Sequence, residues 1–266
     1  MTVNTMQEHI TLKANDLTIG YQTKRSKTVI SEAINFELKQ GQLIGLVGAN
    51  GIGKSTLLRT ITKVQAPLDG TVYINGEEQS KMSLTDLSKA LSLVLTEPLQ
   101  AKNLSVYELV ALGRHPYTNW VGRLTEHDKG IITNAIELTS IDELKHKKCF
   151  ELSDGQLQRV MIARALAQDT DIIILDEPTT HLDMYHKAHL LKLLKDLTLT
   201  TNKTILFSSH EIDLAIQLCD TMMVMTENGI VTDEPRELIK KGIFNGLFPK
   251  DLIIFDETTG SFRVRK

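Results

Sequence analysis

Leu43-Ile44-Gly45-Leu46-Val47-Gly48-Ala49-Asn50-Gly51-Ile52-Gly53-Lys54-Ser55 is an apolar run that breaks into a glycine-rich loop and ends on a lysine and a hydroxyl. Residues 43–47 are short, apolar and bounded by glycines, the pattern of a buried strand. Residues 48–55 fit G-x-x-x-x-G-K-[ST], and the spacing beyond them predicts a helix over 54–62. Strand, loop and helix in that order form the setting in which such a loop cradles phosphate. The glycines let the backbone curl so that successive N–H groups point inward at phosphate oxygens. The helix N-terminus adds its partial positive charge. Lys54 is then placed for the β- and γ-phosphates, and the Ser55 hydroxyl for Mg²⁺.

Two stretches further along carry related chemistry. Ile172-Ile173-Ile174-Leu175 is a second apolar strand and ends in Asp176-Glu177. It is expected beside strand 43–47 in a parallel sheet, with Asp176 at the carboxyl edge where ligands bind. There Asp176 would hold the Mg²⁺ shell and Glu177 would polarise an attacking water. Leu152-Ser153-Asp154-Gly155-Gln156 reads as another phosphate-binding turn, opening a helix over 155–168.

The remaining pattern sets the architecture. Residues 10 to 47 alternate apolar and polar, with Ile34, Phe36 and Leu38 on one face. Residues 71–74, between Asp69-Gly70 and Asn75-Gly76, read as a hairpin strand. Residues 99–152 change to helical spacing: Val106, Leu109, Val110 and Leu112, then Ile131, Ile132, Ala135, Ile136 and Leu138. They are read as a helical insertion. Afterwards come strand 172–175, helix 184–199, strand 204–208, helix 211–219, strand 221–225 and an Asn228-Gly229 turn into Ile230-Val231. This alternation predicts an α/β fold with a mostly parallel sheet covered by helices. Residues 252–264 read as a β-hairpin turning at Thr259-Gly260. No linker divides residues 1–266, and a single domain is expected.

A net charge of −3 argues against a nucleic-acid partner met through a broad basic surface. The dense basic cluster Lys145-His146-Lys147-Lys148 is read as solvated surface. Cys149 and Cys219 lack metal-ligand spacing and are expected to be unpaired thiols in a reducing compartment. Residues 1–12 are polar, unlike a signal peptide. No apolar run approaches the ~20 residues needed to span a bilayer, so work at a membrane would go through another chain. His181, His186 and His189 are read as a solvated face, since no cysteine or third helix ligand joins them. Met222, Met223 and Met225 are read as core, and the Asp154 side chain is expected to point away from its phosphate turn.

These motifs, in this order, resemble the ATP-binding subunit of an ABC transporter over nearly the whole chain. Residues 48–55, with Thr56 after them, match Walker A. Residues 152–156, running into Leu157-Gln158-Arg159-Val160-Met161-Ile162-Ala163-Arg164-Ala165-Leu166, match the signature. Residues 172–176 match Walker B, followed by Glu177-Pro178-Thr179. Thr180-His181-Leu182-Asp183 matches the D-loop, and His210 the switch histidine. The resemblance implies a P-loop NTPase core with an antiparallel β subdomain and a helical insertion, and ATP with Mg²⁺ as cofactors. It implies that Tyr21 stacks on adenine and that Gly48, Ala49, Asn50, Gly51, Ile52, Gly53, Lys54, Ser55 and Thr56 bind the nucleotide. A second copy, paired head to tail, would add Ser153, Gly155, Gln156 and Asp183. Glu177 is implied as catalytic base, with His210 and Lys54 at the γ-phosphate and Ser55 and Asp176 at the metal.

Val106-Tyr107-Glu108-Leu109-Val110-Ala111-Leu112-Gly113-Arg114-His115-Pro116-Tyr117 is similar to a segment typical of importers of ferric siderophores, haem and cobalamin. Asp154, in place of the usual signature glycine, is common in that group. The implied role is an ATPase lying peripherally on the cytoplasmic face of the cell membrane. Its implied partners are integral-membrane permease subunits and, indirectly, a substrate-binding protein. Iron-siderophore or haem-type chelates come first as cargo and cobalamin second. A non-transport ABC ATPase of translation or DNA repair is a weaker reading, because there is one cassette and no long coiled-coil insertion. A GTPase is disfavoured by the lack of an N/T-K-x-D motif. One departure stands out. The family usually has a glutamine after the strand entering the insertion, where this chain has Thr96, then Glu97, with Gln100 nearby. Glu97 is placed ahead of Thr96 as the Mg²⁺ contact.

Overall fold

The computed structural model describes residues 9–24, 26–95, 102–119, 122–249 and 251–265. The chain opens on two long antiparallel strands, β1 (Ile10–Gln22) and β2 (Lys27–Lys39). β2 buries Ile34, Phe36 and Leu38 and exposes the residues between them, the period of a sheet with one wet face. β3 (Leu43–Gly48) is buried at every position and leads through the glycine loop into α1 (Lys54–Ile61). β4 (Asp69–Ile74) and β5 (Glu77–Glu78) complete a four-stranded antiparallel sheet in the order β2-β1-β4-β5. Asn75 and Gly76 join β4 to β5 with φ values of 50° and 81°, the left-handed pair that a two-residue hairpin turn requires.

The chain then forms α2 (Leu84–Ala90), β6 (Leu91–Val94), α3 (Val106–Ala111), α4 (Glu126–Leu138) and α5 (Asp154–Ala167). β7 (Ile172–Leu175), α6 (Met184–Thr201), β8 (Thr204–Ser208), α7 (Ile212–Leu218), β9 (Thr221–Thr226) and β10 (Gly229–Asp233) follow. The second sheet runs β10-β9-β3-β8-β7-β6, parallel from β9 to β6 with β10 antiparallel at its edge. Its strands feed two cores alternately. Ile44, Leu46, Ile172, Ile174, Leu206 and Met223 pack toward the antiparallel sheet and α1. Leu43, Val47, Ile173, Leu175, Ile205 and Phe207 pack under the other helices. Burial on both faces is why these strands read as unbroken apolar runs.

One expectation is corrected here. The strand that carries Asp176 is not beside the strand that enters the glycine loop: β8 lies between β3 and β7. A strand that pairs on both sides takes its neighbours from long-range packing, and local sequence does not reveal which they are. Sequence spacing also missed α8 (Pro235–Lys240), a helix of six residues with proline in its first turn. The terminal hairpin, β11 (Ile253–Asp256) with β12 (Ser261–Val264), packs beyond it through Phe244, Phe255 and Phe262, whose successive ring centroids are 5.0 Å apart. Met222, Met223 and Met225 are buried, and both thiols, Cys149 and Cys219, are buried and free.

The helical insertion is held by caps and one buried ion pair. Ser105 with Glu108 forms a capping box at α3, and Thr125 with Asp128 forms another at α4. Asp128 also accepts from Arg114 Nε at 2.8 Å, with the two side chains 6% and 4% exposed. Arg114 donates in addition to the Ala167 carbonyl, 3.0 Å away. The Thr125 hydroxyl and N–H, then Arg114, pull the Asp128 carboxyl down to about 2. Its contribution to stability is therefore complete above the ordinary carboxylate range and fades as pH falls toward 2. Asp128→Ala leaves a buried guanidinium unpaired and is expected to cost about 3–5 kcal/mol. A midpoint lowered by roughly 10 °C in thermal unfolding at pH 7 checks it, and the gap to wild type should narrow in acid.

Candidate functional site

The glycine loop is shaped by contacts a side chain would block. Gly53 has φ 114°, and a Cβ there would lie 2.5 Å from Ile30 Cγ2 and 3.0 Å from Met225 Cε. Gly53 gives α1 no side-chain cap, so the first N–H groups of that helix face the loop without a side-chain acceptor at that position. Lys54 folds back over the loop, and its ammonium donates to the Gly48 carbonyl at 2.9 Å and the Ala49 carbonyl at 3.2 Å. Burial pushes its pKa down, against the opposing pull of Glu177 and Asp176.

Asp176 and Glu177 follow β7 at the carboxyl end of the sheet. The Asp176 N–H donates to the Val94 carbonyl of β6. Its carboxylate Oδ1 accepts from Ser208 Oγ at 2.7 Å and from Ser55 Oγ at 3.2 Å. Asp176 thus meets the end of the glycine loop although its strand is one removed from β3. The Ser55 hydroxyl and the Asp176 carboxylate are hard oxygen donors set side by side, a pair that suits Mg²⁺ completed by phosphate oxygens and water. Glu177 has left-handed backbone, φ 47°. Its Oε1 lies 2.7 Å from His210 Nε2, and its Oε2 accepts from Thr180 Oγ1 at 3.3 Å.

Tyr21, Asn50, Gly51, Gly53, Lys54, Ser55, Thr56, Glu177 and His210 all line one cavity of about 430 Å³. Tyr21 stands at its rim, 49% exposed, with its hydroxyl 3.0 Å from Thr56 Oγ1. Gly48 and Ala49 contribute the carbonyls that hold Lys54, while Ile52 packs on the core beneath the loop. The predicted site does not close within one copy of the chain. Ser153, Gly155 and Gln156 line a separate cavity of about 280 Å³ with Arg159, Leu182 and Tyr185. Ser153 and Gln156 form a capping box that fixes the first turn of α5, and Asp154 in that turn is exposed. Asp183 caps α6, accepting from the His186 N–H at 2.8 Å, and contacts the His186 ring. His181, His186 and His189 are exposed. Thr96, Glu97 and Gln100 lie outside the described residues. Sequence reasoning missed Ile30, which lines the cavity, and Ser208 and Thr180, which hold the two acids. The signal available for Ser208 was a hydroxyl directly after the apolar run Ile205-Leu206-Phe207.

The ABC transporter family profile matches residues 31–180. The iron(3+)-hydroxamate import ATP-binding protein of Bacillus subtilis is 37% identical over 84% of this chain and 81% of its own. The achromobactin transport ATP-binding protein of Dickeya dadantii is 35% identical over 90% and 88%. Among solved structures, cbiO1 of Clostridium perfringens, part of the ABC transporter complex cbiONQ, superposes with a TM-score of 0.78 at 30% identity, covering 88% of this chain and 92% of that one. An ATP-binding cassette solved as a dimer in a post-hydrolysis state with ADP and phosphate superposes with a TM-score of 0.69 at 25% identity, covering 84% and 98%. The profile match and these relatives establish that the chain is an ATP-binding member of the ABC transporter family.

Proposed function

We propose that this chain binds ATP with Mg²⁺ in the 430 Å³ cavity, hydrolyses it, and so powers an ABC importer of iron chelates of the siderophore type. The observation that carries the ATPase reading is the convergence of Lys54, Ser55, Glu177 and His210 on one cavity. The cargo reading rests on the relatives above, named for hydroxamate and achromobactin transport, together with the segment 106–117. Among the described residues no helix is long and apolar enough to cross a membrane. In this reading the chain works with integral-membrane permease subunits at their cytoplasmic face, and a substrate-binding protein delivers cargo.

In this reading the Tyr21 ring stacks on adenine and the loop amides and the start of α1 hold the phosphates. Lys54 exchanges the Gly48 and Ala49 carbonyls for phosphate oxygens. Ser55 and Asp176 hold Mg²⁺, which when bound neutralises charge on the β- and γ-phosphates. Glu177 accepts a proton from a water whose oxygen forms a bond to the γ-phosphorus as the bond to the β–γ bridging oxygen breaks. His210 keeps the Glu177 carboxylate aimed. The separate cavity at Ser153, Gly155 and Gln156 supports a second copy as the source of the γ-phosphate cap. ATP then closes the pair because it meets both copies only in the closed state, and Asp183 lies at the seam.

Lys54→Ala removes a charge-assisted donor and should weaken ATP binding by about 10–100-fold, read by titration calorimetry. Glu177→Gln should leave ATP affinity near wild type and lower turnover by about 10²–10⁴-fold, trapping a dimer detectable by size-exclusion chromatography with ATP. Wild-type turnover in that variant removes Glu177 from the catalytic role. Uptake of radio-iron on siderophores, of haem and of cobalamin, in a strain lacking the gene and complemented with wild type or Glu177→Gln, tests the cargo. Loss of siderophore iron restored by wild type alone is the expected result.

A further inference from the structure

Ser208 ends β8 with no solvent exposure, beside the two acids that follow β7. Its hydroxyl donates to Asp176 Oδ1 at 2.7 Å and accepts the Glu177 backbone N–H at 2.8 Å. A serine hydroxyl has one proton to give, so the direction is fixed: Glu177 N–H to Ser208 Oγ, and Ser208 O–H to the Asp176 carboxylate. Glu177 is a non-glycine residue in left-handed backbone, a conformation that persists only where the surroundings hold it. Its carbonyl accepts from the Thr180 N–H at 3.2 Å, so Ser208 on one side and Thr180 on the other pin the peptide groups flanking its Cα. The preceding N–H, that of Asp176, goes to Val94 of β6. Successive amides of the acidic pair therefore hang from strands on opposite sides of β7.

We propose that Ser208 is a positioning residue for ATP hydrolysis, coupling the orientation of the Asp176 carboxylate to the backbone twist that aims Glu177 at the cavity. The inference rests on the reading of Glu177 as base and deepens it. Replacing Ser208 with an aliphatic residue leaves the Glu177 N–H without this acceptor and removes from Asp176 Oδ1 one of its two orienting hydroxyls, leaving Ser55. Glu177 then loses its aim while Lys54 and the loop amides still hold nucleotide. The hydroxyl acts on turnover and not on affinity.

The test uses the 266-residue chain and compares wild type with Ser208→Ala, Ser208→Thr, Glu177→Gln and the Ser208→Ala/Glu177→Gln double variant. ATP turnover at saturating Mg²⁺-ATP, ATP affinity by calorimetry and thermal midpoint are measured for each. Ser208→Ala should lower kcat by about 10–100-fold, the range for groups that orient metal ligands, with ATP affinity within about threefold of wild type. Ser208→Thr keeps the hydroxyl and should retain most turnover. In the Glu177→Gln background, Ser208→Ala should add no further loss, because the aim it supplies has nothing left to act on. Wild-type kcat in Ser208→Ala overturns the proposal. So do equal losses in the alanine and threonine variants, loss of ATP affinity in step with kcat, or losses that simply multiply in the double variant. If Ser208→Ala does not fold, Ser208→Cys, with its weak S–H donor, is read by the same criteria. Undiminished turnover in Glu177→Gln alone marks failure of the underlying base assignment, separately from that of Ser208.

Discussion

The 430 Å³ cavity depends on the shared register of three parallel strands, β3, β8 and β7. β3 pairs with β8 so that Leu46 faces Ser208, and β7 pairs with β8 so that Leu175 faces Phe207. The residue after Leu175 is therefore level with Ser208, and the glycine loop starts just beyond the same edge. That register is enforced by burial on both faces. A slip of one residue in β8 would drive Ile205 and Phe207 into the core now filled by Leu206, and the reverse. The alternation of side chains between two cores thus fixes the distance between Ser55 and Asp176, although neither residue is part of that alternation.

This explains which parts of the site were legible in the sequence. The glycine loop is local: strand, turn and helix lie within residues 43–61, and each part carries its own pattern. Residues 152–156 and 172–177 were legible for the same reason, and the helical spacing of 106–112 and 131–138 marked the insertion. Strand order was not local. Nothing within 172–175 says that β8 comes between it and β3, because every strand of a doubly covered sheet reads as the same apolar run. Ser208 was hidden by the same cause, since its meaning appears only when β7 lies beside it. Thr180 was assigned to a motif, but its bond to Glu177 depends on the left-handed turn at Glu177, which no residue type announces. α8 was missed because it buries only Pro235 and Leu238, too few apolar positions to mark a helical face.

The segment 106–117, which the sequence linked to one group of importers, has a physical account in this chain. Gly113 sits against α5 so closely that a Cβ would lie 2.3 Å from the Arg164 carbonyl. Arg114 reaches past it to Asp128 of α4 and to the Ala167 carbonyl at the end of α5, and lies 4.0 Å from the centre of the Tyr117 ring. Glycine for close approach, arginine for two buried acceptors and tyrosine to stack on it are each required by packing. The string therefore binds the insertion to α5 before it says anything about cargo. α5 begins at the Ser153–Gln156 turn and runs 14 residues, about 21 Å. Arg114 thus joins the far end of α5 to α4 through the Ala167 carbonyl and the Asp128 carboxylate, while the Ser153–Gln156 capping box fixes the near end. The Ser153–Gln156 turn and the helical insertion are in this way joined through a single helix.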